Sequence, residues 1–369
     1  MALRRPFESL YVHVPFCHGK CSYCAFYSLG RYGRAEQEAY IHRIFQTMEK
    51  QSDKCAALRS VFIGGGTPTA FDDDLFERLL ANIRNHFRFF DETEWTIESN
   101  PESLSEQKIA IMAAHGVTRV SMGVQSFDPQ IRKTLGRCGH LEGLETKVDA
   151  LRHAGIRHIN FDFIYNVPGQ TPDDFRRDLY NALQLMPDHV SAYALTIEEG
   201  TPLAARGTCV NDDDFTEYWR LADEILAEGG LCRYEISNFA KIGCECRHNN
   251  DIWHGGTYLG IGPAATSFDG MDRWTQVANL LKWQEGTAAE MDILPSDKRD
   301  AEILAFGMRT VDGWTWRQFA ECVGVDAKVL RGKELARLEQ LGLVTIDDNG
   351  FRPTARGLLF NDDVVMELL

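Results

Sequence analysis

From Leu10 to about Glu198, short apolar runs alternate with longer amphipathic stretches. Runs rich in β-branched and aromatic residues predict strands over Leu10–Val14, Val61–Ile63, Trp95–Ile97, Arg119–Val124, Ile159–Ile164 and Val190–Leu195. Amphipathic stretches predict helices over Ala35–Gln51, Asp73–Phe87, Ser105–His115, Glu142–Ala154 and Thr171–Leu185, with start signals at Ser105 and Thr171-Pro172. Six such units imply an α/β fold with a parallel sheet, because parallel neighbours need a crossover connection. Six is short of a closed eight-stranded barrel, so a partial (β/α)6 TIM-like barrel and an open doubly wound sheet both satisfy the count. Polar residues collect where the strand runs end, at Gly64–Thr67, Glu98–Asn100, Gln125–Ser126 and Asp162. That placement favours the barrel-like cup, whose functional residues gather at the carboxyl ends of its strands.

Beyond residue 210 the pattern is less regular: a helix is expected over Asp212–Ala227, then Tyr234–Phe239. After Pro295 three amphipathic stretches (Ser296–Arg309, Thr315–Cys322, Lys328–Leu341) lead into Leu343–Ile346, an Asn349-Gly350 turn and Phe351-Arg352. Helices followed by such a hairpin predict a winged-helix-like α+β domain. The expected organisation is a barrel over 1–210, an extension covering it over 211–294, and the small domain over 295–369.

Charge narrows the partners. The chain carries 39 Lys and Arg against 54 Asp and Glu, a net of −15. This argues against nucleic acid, whose phosphates require a basic surface. The C-terminal domain has ten basic and thirteen acidic residues, which suits packing or protein docking better than groove binding. No stretch has the length and apolarity of a bilayer span, and Pro6, Glu8 and His13 interrupt any leader-like core. A cytoplasmic protein is expected, with membrane contact only through a partner. Its ten cysteines are then thiols or metal ligands rather than disulfides. Five are scattered (Cys55, Cys138, Cys209, Cys232, Cys322), and their default role is that of small buried apolar groups.

Cys17, Cys21 and Cys24 follow the first strand run directly. Three thiolates can hold a four-iron cluster while leaving one iron open, whereas four cysteines are usual. Zinc is the competing occupant, with His18 or a distant fourth ligand. Structural zinc usually comes as paired clusters and no second Cys-x-x-Cys is present, so iron–sulfur is favoured. The second strand ends in Gly64-Gly-Gly-Thr-Pro-Thr69, which lacks the Lys of a phosphate-binding loop. Its missing side chains let a ligand reach the backbone.

Cys-x3-Cys-x2-Cys with a following Gly-Gly-Thr-Pro loop resembles the radical S-adenosylmethionine (SAM) superfamily. More narrowly, the chain resembles its oxygen-independent coproporphyrinogen III oxidase group, and there the HemW-type haem chaperones. The resembling residues include Tyr11–Cys17, Gly64–Thr69, Glu98 with Asn100-Pro101, Gly123–Ser126, Leu135–Arg137, Asp162, Asn238–Ala240 and Glu245–Asn249 with Trp253. The resemblance implies a [4Fe–4S] cluster on Cys17, Cys21 and Cys24, completed by the amino and carboxylate groups of SAM. It further implies that Tyr11 and Tyr23 line the cofactor and that Gly65, Gly66 and Thr67 meet its amino group. Glu98 would be a polar contact, Arg137 would pair with a carboxylate, and Gln125 and Asp162 would reach the ribose.

Two departures separate the chain from the porphyrinogen-oxidising branch. Phe26 stands where that branch carries a fourth cysteine, and only about ten residues precede the first strand. Both features match the HemW type and imply haem as ligand, haem-accepting proteins as partners, and a flavodoxin- or ferredoxin-like electron donor if SAM is cleaved. The alternative is radical decarboxylation of coproporphyrinogen III. The HemW-like motif reads His248-Asn-Asn-Asp-Ile252-Trp253, with Ile252 in place of a Tyr. His248, Cys246 and Cys244 are candidate haem or metal contacts, since histidine and thiolate both ligate haem iron.

Overall fold

The computed structural model describes residues 4–137, 139–211 and 213–369. Cys138 and the first residue of the helix expected from Asp212 lie outside them. Six parallel strands, β1 (Phe7–Val14), β2 (Cys55–Gly65), β3 (Phe89–Ser99), β4 (Arg119–Gln125), β5 (His158–Tyr165) and β6 (His189–Ala194), pair in chain order. The helices α1 (Arg34–Gln51), α2 (Asp73–His86), α3 (Glu106–Ala114), α4 (Pro129–Thr134), α5 (Leu144–His153) and α6 (Pro172–Gln184) connect them. All six expected strands and five expected helices are present. The sequence reading missed α4, whose six residues are too few to show a helical period, although Asp128 caps it.

Period-two alternation explains the layers. Leu10, Val12 and Val14, then Val61 and Ile63, Val120 and Met122, and Ile159, Phe161 and Phe163 are buried in the main core with the helices' apolar faces. Their neighbours Ser60, Thr96, Glu98, Arg119, Ser121, Asn160, Asp162 and Ser191 take the opposite face. The sheet is thus apolar towards its helices and polar towards its lumen, and the chain belongs to the partial-barrel class.

The sheet continues at both edges. Past α7 (Pro202–Ala205) and α8 (Phe215–Glu228), strands β7 (Cys232–Glu235) and β8 (Asn238–Ala240) extend it antiparallel from β6. Past α9 (Arg247–Trp253), strand β9 (Tyr258–Ile261) pairs parallel with β1. Three further strands, β10 (Thr266–Phe268), β11 (Arg273–Thr275) and β12 (Glu290–Asp292, after α10, Leu280–Gln284), complete twelve in one sheet. Strands of three or four residues carry too little alternation to be read from sequence.

The C-terminal region has its own core, including Leu304, Met308, Trp314, Phe319, Leu335, Val344 and Phe351. Helices α11 (Ser296–Gly307), α12 (Trp316–Val323) and α13 (Ala327–Gln340) pack with a three-stranded sheet, β13 (Trp314–Thr315), β14 (Val344–Ile346) and β15 (Gly350–Pro353), as the winged-helix-like reading expects. Asp347 accepts from the backbone N–H groups of Asn349 and Gly350 and so shapes the hairpin turn. Two short helices, α14 (Ala355–Leu359) and α15 (Asn361–Leu368), end the chain. One expectation holds only for Cys55: Cys209 and Cys232 are exposed, because one sits in a loop and the other opens an edge strand, and Cys322 is only partly buried.

Candidate functional site: a three-cysteine loop over a polar lumen

The chain leaves β1 at Val14 and turns into the cysteine loop, which is tied down at both ends. Cys17 N–H donates to the Leu29 carbonyl, and Leu29 N–H donates back to Pro15. Cys17, Cys21 and Cys24 are all partly exposed and line one cavity of about 680 Å3 that runs into the barrel. Gly65, Gly66, Thr67, Glu98, Gln125, Arg137, Asp162 and Tyr23 line the same cavity. Segments far apart in sequence therefore converge at the carboxyl ends of β1–β5. Tyr11 is not among the lining side chains; its hydroxyl meets His13 Nδ1 at 3.1 Å. His13 Nε2 lies 2.8 Å from the Tyr27 carbonyl, so Nε2 carries the proton and Nδ1 accepts from Tyr11.

The glycine loop needs its glycines. A Cβ on Gly66 would stand 2.7 Å from the Phe16 carbonyl oxygen and 2.8 Å from that of Val14, both backbone atoms. Gly65 has φ +106°, a conformation that L side chains rarely adopt.

Three polar side chains frame the cysteines. Arg137 donates through Nη1 to Cys21 Sγ (3.5 Å) and through Nη2 to Asn100 Oδ1 (2.8 Å). Asn100 Nδ2 donates to Thr67 Oγ1 (2.9 Å), and Thr67 Oγ1 lies 3.5 Å from Cys17 Sγ. The sequence reading gave Asn100 no role. Its Asn-Pro context marks a turn equally well, and nothing local shows which side chains it bridges.

Deeper in, burial raises the Glu98 carboxyl from its ordinary 4.5 to about 7, helped by the nearby Asp162 charge and opposed by the Gly65 N–H donated at 3.0 Å. Burial also raises Asp162, against hydrogen bonds from Ser121 (2.9 Å) and Asn160 (2.8 Å). Burial pushes the Cys17 and Cys24 thiols up, while the Thr67 hydroxyl pulls Cys17 back.

His248 and the Cys244–Cys246 pair are not brought to the cysteine loop. They sit at the other end of the barrel, where Glu94 accepts from the backbone N–H groups of Arg247 and His248, both at 3.1 Å. His248 is buried, its Nδ1 2.8 Å from Ser60 Oγ and its ring against Phe62 (centroids 5.1 Å apart). Burial lowers its pKa to about 4, so the ring is neutral. Cys246 is buried but does line the lumen floor.

A partial barrel with a three-cysteine loop at its mouth defines a class of cluster-binding, SAM-dependent proteins, and comparison with known proteins agrees. Residues 11–179 match the radical SAM superfamily model and residues 294–360 the HemN C-terminal domain. The heme chaperone HemW of Mycobacterium tuberculosis H37Rv is 34% identical, over 99% of this chain and 95% of that protein. HemW of Escherichia coli K12 is 32% identical over 71% and 70%. The bovine radical S-adenosyl methionine domain-containing protein 1, mitochondrial, is 31% identical over 98% and 87%. The solved coproporphyrinogen III oxidase (HemN) of E. coli superposes with a TM-score of 0.82 over 99% of this chain and 90% of that one; at 23% identity this likeness shows the fold. The chain belongs to the HemW family of the radical SAM superfamily.

Superfamily membership implies a [4Fe–4S] cluster and SAM, and the residues present fit them. Three thiols on one loop leave one of the usual four cluster ligands to be supplied from elsewhere. Gly65 and Gly66 line the cavity without side chains, and Arg137, which lines it too, has its Nε buried with no hydrogen-bond partner. Among the described residues no group of three His, Cys, Asp or Glu side chains is spaced to hold a single metal ion. No helix among the described residues is long and apolar enough to cross a membrane.

Proposed function

We propose that this protein binds haem and passes it to acceptor proteins in the cytoplasm, carrying a [4Fe–4S] cluster and SAM at the mouth of its barrel. The observation that carries this reading is 34% identity to a heme chaperone over nearly the whole length of both chains. Phe26 supports it: the side chain is 69% exposed at the cavity rim, where the oxidase branch resembled above carries a fourth cysteine.

In this reading Cys17, Cys21 and Cys24 are the cluster ligands. When bound, the cluster supplies an open iron that chelates SAM through its amino and carboxylate groups. Gly65, Gly66 and Thr67 bind the amino group at the edge of β2. Arg137 orients the carboxylate through its charge and its unpartnered Nε–H. Gln125 and Asp162 accept from the ribose hydroxyls, and Glu98 is a polar contact on the wall between them. Tyr23 shields this pocket from water on the side of α4, where it packs beside Ile131 and Leu135. Haem ligation by His248 would require the floor of the lumen to open, because its ring is buried outside the cavity, whereas Cys246 lines that floor.

Anaerobic titration of haem into the cluster-loaded protein, read by its absorption bands and stoichiometry, tests the reading. One haem bound per chain and delivered to an apo-acceptor is the expected result. Unchanged affinity and spectrum in His248→Ala would remove that residue as a ligand. Multiple-turnover decarboxylation of coproporphyrinogen III would overturn the chaperone reading.

A further inference from the structure

Among the polar residues at the barrel mouth, Asn100 touches both sides of the cysteine loop through intermediaries. A guanidinium has donors and no acceptor, so the Asn100 carbonyl oxygen must face Arg137 and its amide nitrogen must face Thr67. Receiving that N–H, Thr67 Oγ1 has its own proton left to donate, and the group beside it is Cys17 Sγ at 3.5 Å. With Nη2 engaged by Asn100 Oδ1, Arg137 turns Nη1 onto Cys21 Sγ, also at 3.5 Å. One amide thereby orients a donor onto each of two cysteine sulfurs. The surroundings leave little slack. A Cβ on Gly123 would meet Asn100 Oδ1 at 3.0 Å and Arg137 Nη2 at 3.3 Å, and the Gly123 carbonyl also accepts from Arg137.

We infer that Asn100 is a positioning residue that aims the Thr67 hydroxyl at Cys17 and the Arg137 guanidinium at Cys21, and thereby sets the reduction potential of the cluster those cysteines hold. The inference rests on the cluster reading above. Hydrogen bonds to cluster sulfurs stabilise the more negative, reduced state and raise its potential. The amide is required because it must accept on one side and donate on the other. Aspartate, of the same shape, can accept from Arg137 but cannot donate to Thr67. It would instead accept the Thr67 proton and turn it away from Cys17.

The test is a potentiometric titration of the reconstituted full-length protein, followed by the signal of the reduced cluster, for wild type, Asn100→Asp and Thr67→Val. Iron and sulfide content of the wild type, measured first, checks the cluster reading separately. Both variants should be harder to reduce by about tenfold in equilibrium constant, a shift of about 59 mV for one electron. Thr67→Val leaves Asn100 in place, so it decides the matter if Asn100→Asp does not retain iron. Unchanged potentials overturn the inference, and so does loss of iron from both variants, which would make the two side chains holders of the cluster rather than tuners of its potential.

Discussion

Arg119 Nη2 lies 3.1 Å from Glu94 Oε2 inside the closed end of the barrel, with both side chains almost fully buried. The pair does more than neutralise itself. Arg119 also donates to the carbonyls of Cys244 (2.9 Å) and Glu245 (3.0 Å), and Glu94 receives the N–H groups that open α9. A segment that carries the candidate haem contacts is thus held by charges on β3 and β4.

Removing one partner of this pair strands the other as a buried charge. Glu94→Gln or Arg119→Met should each destabilise the protein by about 3–5 kcal/mol. The double variant should cost less than the sum of the two, which denaturant unfolding of all three forms would measure.

Substitution of Cys17, Cys21 and Cys24 by alanine together should abolish the iron–sulfur absorption of anaerobically reconstituted protein while leaving the far-ultraviolet dichroism intact. Retention of a full complement of iron would show that the cluster is held elsewhere.

At Gly66 the obstacle to a side chain is backbone rather than a flexible side chain. Gly66→Ala should therefore push the cysteine loop outward, costing about 1–3 kcal/mol and lowering iron incorporation. Ala substitution at Gly155, where nothing stands near the added carbon, is the control for loading, because any backbone strain there lies outside the cysteine loop.

The Glu98 carboxyl and the His248 ring give opposite pH slopes. Glu98 keeps its proton up to about pH 7 in the folded chain but loses it near 4.5 when unfolded, so the folded state binds more protons between these values. Its contribution to stability falls as pH rises through that window, by up to about 3 kcal/mol. Glu98→Gln should remove this loss. His248 is neutral down to about pH 4 when folded and protonates near 6.5 when unfolded, so stability is lost as pH falls from 6.5 to 4. His248→Gln should flatten that acid limb. Melting temperatures of the metal-free protein between pH 4.5 and 8 check both slopes.

Much of this site was legible before any coordinates, because the signals are local. Cys17, Cys21 and Cys24 lie within eight positions, and each strand-end residue follows directly on an apolar run whose period shows which face it takes. Tyr11 was harder, since its partner His13 competes with the cavity for its hydroxyl. The edge strands from β7 to β12 were illegible at three or four residues each, and α4 was too short to show a period.

By itself, then, the amino-acid order determined the six βα units, the polar residues at their strand ends, and the gathering of three cysteines in the loop after the first strand. Only the tertiary structure decided that the Asn100 amide spans Thr67 and Arg137, and that Cys246 lies on Glu94 although 152 positions separate them in the chain. Periodicity reports which face a residue occupies. Which residues share a level across the lumen depends on strand register and closure, and these are settled by packing among segments that carry no mark of one another in sequence.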